Sequence, residues 1–167
     1  MPFPLASVIS SISPKLWTLI IAMLPISELR GAIPFALTEG GLTWQEAAAM
    51  AVIGNFIPVI PILLLLDRTS NWLMKYRIWN RFFTWLFNRT RRKGKIVERF
   101  EALGLALFVA IPLPVTGAWT GCVAAFIFRI PLRLAIPAIA CGILISATVV
   151  TILTLGSLGV ITYWGIG

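Results

Sequence analysis

Leu16-Trp-Thr-Leu-Ile-Ile-Ala-Met-Leu24, then Pro25-Ile-Ser-Glu-Leu-Arg-Gly31, then Ala32-Ile-Pro-Phe-Ala-Leu37: nine apolar residues, a seven-residue break with a proline, a glycine and two opposite charges, and a second short apolar piece. At a rise of about 1.5 Å per residue the first piece reaches roughly half of a hydrocarbon layer about 30 Å thick. The break therefore falls where a spanning helix would be at mid-depth. Irregular backbone is tolerated there only if protein or a water-filled cavity surrounds it. The stretch predicts a helical hairpin that enters the membrane and turns back. After the polar turn Thr38-Glu-Gly-Gly41, Thr43 and Glu46 have the spacing of a capping box, which predicts a spanning helix running to Leu66 and kinked by Pro58 and Pro61.

The same order recurs downstream. Leu103-Gly-Leu-Ala-Leu-Phe-Val-Ala-Ile111 is a second nine-residue apolar piece ending at a proline, followed by the break Pro112-Leu-Pro-Val-Thr-Gly-Ala-Trp-Thr-Gly121, a short return from Cys122 to Phe128, and a second span. Spacings nearly agree: Pro25 to Gly54 is 29 residues and Pro112 to Gly142 is 30. The expected fold is an all-α integral membrane protein. It consists of two inverted repeats, each a re-entrant helical hairpin plus a transmembrane helix, over residues 15–66 and 102–157, joined by a basic amphipathic segment over 67–101. Such paired, interrupted segments are a signature of transporter folds.

Composition agrees with a membrane solvent. The chain has 167 residues, 59% apolar and 12% charged, with a mean hydropathy of +0.93. Twenty consecutive positions from Ala47 to Leu66 and 23 from Leu134 to Gly156 carry no charge. These runs exclude an ordinary water-soluble domain. There is no histidine, which removes His-based triads, His metal sites and His-ligated haem, so no cofactor or metal is expected. Cys122 and Cys141 lie inside apolar runs and read as small buried residues rather than a disulfide. The N-terminus carries no basic residue ahead of its apolar part and does not read as a cleaved signal.

Net charge is +8, with ten of the fourteen basic residues between Asp67 and Glu101. There Trp72, Tyr76, Trp79 and Phe83 recur at helical spacing, the pattern of a helix lying among lipid headgroups. Basic residues mixed with aromatics also suit RNA, but the flanking spans assign this zone to anionic lipid rather than nucleic acid. If the zone is cytoplasmic and the second broken segment turns back, Arg129 and Arg133 join it, placing twelve of fourteen basic residues on one side. Lys15 then lies outside and Arg30 within the bilayer. The expected location is the cytoplasmic membrane of a prokaryote, with both termini external.

Opposed hairpins would bring their tips together near the midplane, where helix starts attract anions. Candidate substrate- and proton-binding residues are Glu28, Arg30, Gly31, Asn55, Thr116, Gly117 and Thr120. An ionisable residue at mid-membrane costs about 2.5–3.5 kcal/mol on insertion scales, so something must offset Glu28 and Arg30. Either the two satisfy each other, or Arg30 clamps a phosphate through parallel donors and Glu28 accepts a proton. Thr116 and Thr120 offer hydroxyls, with Gly117 and Gly121 allowing close backbone approach; the same small residues also let helices touch. Asn55 either lines the cavity or bonds a neighbouring helix. A nucleophile would have to be Ser27 or a threonine, with no recognisable base and oxyanion arrangement, so an enzyme is not expected.

Across the two motifs Pro25-Ile-Ser-Glu-Leu-Arg-Gly-Ala-Ile-Pro34 and Pro112-Leu-Pro-Val-Thr-Gly-Ala-Trp-Thr-Gly121, the chain resembles the small multidrug export proteins over roughly residues 15 to 156. That family in turn is similar to the DedA superfamily, whose members have paired re-entrant hairpins, intramembrane acidic and arginine residues, and roles in lipid-carrier translocation. The resemblance implies a lipid-phosphate substrate and proton coupling. The second tip departs from the DedA pattern, having Thr and Gly where an arginine-proline signature would stand.

The sequence thus points first to a transporter or lipid translocase with a midplane site for an anionic headgroup, working as a homodimer that shields its polar tips. Two alternatives remain open. One is a proton-coupled exporter of cationic compounds in which Glu28 binds cation and proton in turn. The other is a non-transporting scaffold whose basic segment recruits acidic lipids.

Overall fold

The computed structural model describes residues 13–73, 95–113 and 116–163, and every regular element among them is a helix. In chain order these are α1 (Pro14–Met23), α2 (Glu28–Thr38), α3 (Trp44–Phe56), α4 (Val59–Leu73), α5 (Lys95–Ala110), α6 (Ala118–Ile127) and α7 (Leu132–Tyr163). Two stretches are long and apolar enough to cross a membrane, Trp44–Leu66 and Leu132–Gly159. Helices α1 and α6, of ten residues each, reach about 15 Å, half that depth.

The helices divide between two compact units. One holds α1, α2, α3 as far as Asn55, and the end of α7 from Ala147. The other holds α4, α5, α6 and α7 as far as Ser146.

In the first unit α1 and α2 pack against each other as a helical hairpin. Ser13 caps α1 through Leu16 N–H, and Pro14 occupies the first turn, where its missing N–H costs nothing. Leu24 then turns extended, and the chain reverses through Pro25, Ile26 and Ser27. The Ser27 hydroxyl donates to Ile21 O at 2.8 Å, tying the reversal to the helix it has just left. Leaving α2, the Glu39 and Gly40 N–H groups both bond Phe35 O, and Gly41 turns at a φ of +59°, a conformation that suits glycine.

Helix α3 opens on the expected capping box. Glu46 N–H approaches Thr43 Oγ1 at 3.4 Å while Thr43 N–H reaches back to Glu46 Oε2 at 3.3 Å. Glu46 also binds Lys15 at 2.7 Å, so α1 and α3 start at the same end of the unit. Further along, a Cβ on Gly54 would strike Leu19 O and would lie 2.9 Å from Ala22 Cβ. Two contacts seven or eight residues apart on each helix mean that α1 and α3 run side by side in one direction.

The second unit also contains a helical hairpin. Helices α5 and α6 pack on each other, and α4 packs on α6, where Cys122 Sγ lies 3.8 Å from Val59 O. A Cβ on Gly142 of α7 would lie 2.7 Å from Ala106 O and 2.6 Å from Val109 Cβ. Leu19 and Ala22 precede Pro25 by six and three residues, as Ala106 and Val109 precede Pro112. Gly54 and Gly142, which end the two matching spacings, therefore pack on residues at matching distances before a proline. Both cores are rich in small residues, with Ala32, Ala36, Ala47 and Ala51 fully buried in the first unit and Ala118, Ala125 and Ala135 in the second.

Several sequence boundaries are corrected. The breaks are shorter than the motifs, Leu24–Ser27 and Ile111–Gly117, and Glu28, Arg30, Gly31, Trp119, Thr120 and Gly121 are all helical. In apolar surroundings each residue that joins the helix satisfies its own backbone, so a helix extends as far as proline allows. The first span, Trp44–Leu66, is broken by a two-residue turn at Ile57 and Pro58, where the sequence placed its kink. Pro58 and Pro61 remove the helical bonds to Gly54 O and Ile57 O together. Cys141 is exposed rather than buried. Helices α4 and α5 extend into the expected 67–101 linker from both sides, and the interfacial helix expected there falls largely at 74–94, outside the described residues.

Candidate functional site

The tip of the first hairpin concentrates the unusual chemistry. Glu28 is 5% exposed and has a φ of +44°, left-handed for a side chain with a Cβ, which costs about 1–2 kcal/mol. Its N–H bonds Leu24 O at 3.1 Å, so the residue both closes the reversal and begins α2. Strain of this kind persists only where the surrounding packing holds it.

Arg30 follows two residues later. Its Nη2 lies 3.7 Å from Glu28 Oε2, close enough for attraction but beyond hydrogen-bond length. Its Nη1 is buried with no hydrogen-bond partner. A buried donor left unpaired costs about 1–3 kcal/mol, more when charged, so Glu28 alone does not satisfy this guanidinium. Arg30 also stands in the first turn of α2, where the helix dipole already presents positive potential. Guanidinium and dipole together form a site of positive potential only partly offset by Glu28.

Backbone donors contribute less than the sequence suggests. Glu28 N–H and Gly31 N–H are already taken by Leu24 O and Ser27 O, and Ser27 spends its hydroxyl on Ile21 O. Gly31 serves the hairpin itself, since a Cβ there would lie 2.6 Å from Ser27 Cβ and 3.6 Å from Ile21. Asn55, 1% exposed on α3 of the same unit, keeps its Oδ1 without a hydrogen-bond partner. Among its described residues the first unit thus holds one buried unpaired donor and one buried unpaired acceptor.

In the second unit the candidate residues part company. Thr116 is consumed by its own turn, donating to Ile111 O and accepting from Leu113 N–H at 3.1 Å. Gly117 precedes α6 in extended conformation and is buried. Thr120 bonds Gly117 O at 3.2 Å and lines a groove of about 530 Å³ between α5 and α6. Sequence reading missed this groove and assigned Glu101, the one carboxylate among its described lining residues, to the end of the linker. The signal was available: Glu101, Gly104, Leu105 and Phe108 share one helical face, as do Thr120, Val123, Ala124 and Ile127. No cluster of three or more Cys, Asp or Glu able to hold a metal occurs among the described residues.

Residues 28–149, well over half of the chain, match the family described as "Putative small multi-drug export protein". The chain belongs to this family. The matched stretch starts at Glu28 and includes Arg30, Asn55, both close-packed glycines and the α5–α6 groove. Family and apolar helices together make the chain an integral membrane protein, and the family description is that of a membrane transporter. No curated protein and no solved structure matches it.

Proposed function

We propose that this chain is a membrane transporter whose first hairpin holds an anionic, lipid-phosphate-like group at Arg30, with Glu28 carrying a coupled proton. The observation that carries the reading is the buried Arg30 Nη1 with no acceptor, next to a carboxylate too distant to hydrogen-bond its guanidinium. A phosphate oxygen supplies the acceptor that this donor lacks and adds charge assistance. Asn55 adds a second buried polar atom for a headgroup donor.

The recurrence of the glycine seats on the two hairpins supports an inverted repeat, and the Lys15–Glu46 contact supports a first hairpin that returns to the face it came from. In this reading the chain lies in a prokaryotic cytoplasmic membrane as a homodimer, performs no covalent chemistry, and keeps 67–101 in the cytoplasm against anionic lipid. The test is movement of a fluorescent phosphate-headgroup lipid in proteoliposomes at two pH values. Arg30→Gln should lower the rate at least about tenfold, the effect of one lost charge-assisted bond. Glu28→Gln should flatten the pH dependence. Transport by the unmodified chain no faster than in empty vesicles, or an unchanged rate in Arg30→Gln, overturns the reading.

A second reading, export of cationic compounds with Glu28 binding cation and proton in turn, is favoured by the family description. The positive charge of Arg30 two positions away opposes it. Cationic dye export that survives Glu28→Gln eliminates it.

A further inference from the structure

The two unpaired polar atoms of the first unit have opposite hydrogen-bonding sense. Arg30 Nη1 can only donate and Asn55 Oδ1 can only accept, and they do not bond each other. Asn55 is 1% exposed. A buried polar atom without a partner is rare in a folded protein, because it forfeits the hydrogen bond it had with water.

Both residues stand at one level of the fold. Gly31 seats α2 against Ile21, and Gly54 seats α3 against Leu19 and Ala22, each contact too tight for a methyl group to enter unchanged. Arg30 and Asn55 are the immediate chain neighbours of those glycines. They therefore flank the last turns of α1 from two different helices of the same unit.

We infer that one ligand meets both atoms: a phosphodiester headgroup that carries its own hydroxyl, with a phosphate oxygen on Arg30 Nη1 and the hydroxyl donating to Asn55 Oδ1. The inference rests on the anion reading of Arg30 and adds what the headgroup must bear besides its charge. An ionised phosphate is acceptor only and gives Asn55 nothing. A phosphomonoester can donate through P–OH, but its second ionisation lies at about pH 6, so near neutrality it is mostly a dianion without that hydrogen. The buried Glu28 carboxylate, 3.7 Å from Arg30, also opposes a second negative charge. A phosphodiester keeps one charge for one guanidinium and leaves donation to the alcohol. An ammonium donor suits the place less well, because a buried cation needs a counter-charge and the Asn55 oxygen is neutral.

The test is equilibrium dialysis against the full chain in nanodiscs of phosphatidylcholine, whose headgroup has no hydrogen-bond donor, with empty nanodiscs subtracted. The probes are tritiated dodecyl hydroxyethyl phosphate and dodecyl methoxyethyl phosphate, which carry the same single charge and differ in one O–H group. The hydroxyl compound should bind about fivefold more tightly, the effect of one neutral hydrogen bond. Asn55→Leu should bind the two equally, and Asn55→Ala repeats the comparison if the first variant does not fold. Arg30→Gln should weaken both about tenfold and keep their ratio. Equal binding by the unmodified chain, with both compounds weakened in Arg30→Gln, overturns this inference and leaves the anion reading standing. Saturable binding of neither compound overturns both. A ratio that persists in the Asn55 variants, or tighter binding of dodecyl aminoethyl phosphate than of the hydroxyl compound, overturns the hydroxyl assignment.

Discussion

Gly104 and Gly142 are both helical, yet a methyl group should move them in opposite directions. Beside Gly104 there is open space, so Gly104→Ala should stabilise the protein by up to about 1 kcal/mol through helix propensity. At Gly142 the new atom meets Ala106 O and Val109, and Gly142→Ala should cost about 1–3 kcal/mol as an overpacked contact. Denaturant unfolding of the two variants in one detergent decides both signs. Residue type alone does not separate these glycines, because the difference lies in what faces each one across a helix interface. The left-handed backbone at Glu28 and Arg129 was equally illegible, since nothing marks a non-glycine residue for φ values of +44° and +54°. That Glu28 and Arg30 were unusual was legible, because charge next to proline within an apolar run has few innocent explanations.

Short apolar helices joined by proline breaks were readable from spacing, and the capping box at Thr43 and Glu46 formed as its pattern predicts. Element ends were not. The motifs mark where helices are interrupted, but the residues after each break, from Glu28 and from Ala118, resume helix at once because backbone groups away from water must pair. Lys15 and Glu46, 31 positions apart, give the hairpin an observable consequence. In a background with Cys122 and Cys141 replaced by serine, Lys15→Cys and Glu46→Cys should be joined by a short bifunctional thiol reagent in membranes. Loss of the cross-link under conditions where each single cysteine still reacts would mean that α1 and α3 do not start together.

For the whole molecule, the proposed inverted topology predicts which face each loop occupies. Cysteines introduced at Lys15 and Glu39 should react with an impermeant thiol reagent from outside the cell, and one at Arg129 only from the cytoplasmic side. Labelling of Lys15→Cys and Glu39→Cys from opposite faces would turn the first hairpin into a crossing segment and sink the inverted arrangement. The sequence by itself determined the membrane solvent, the two long apolar stretches and the charged hairpin tip, because hydropathy, proline and charge act locally against a bilayer of known thickness. Only the tertiary structure decided that Arg30 keeps a buried donor without an acceptor, that Thr116 spends its hydroxyl on its own turn, and that α5 and α6 leave a groove ending at Glu101. Each of these depends on which atoms meet after the chain has turned back on itself, and no spacing along the sequence encodes a distance between helices.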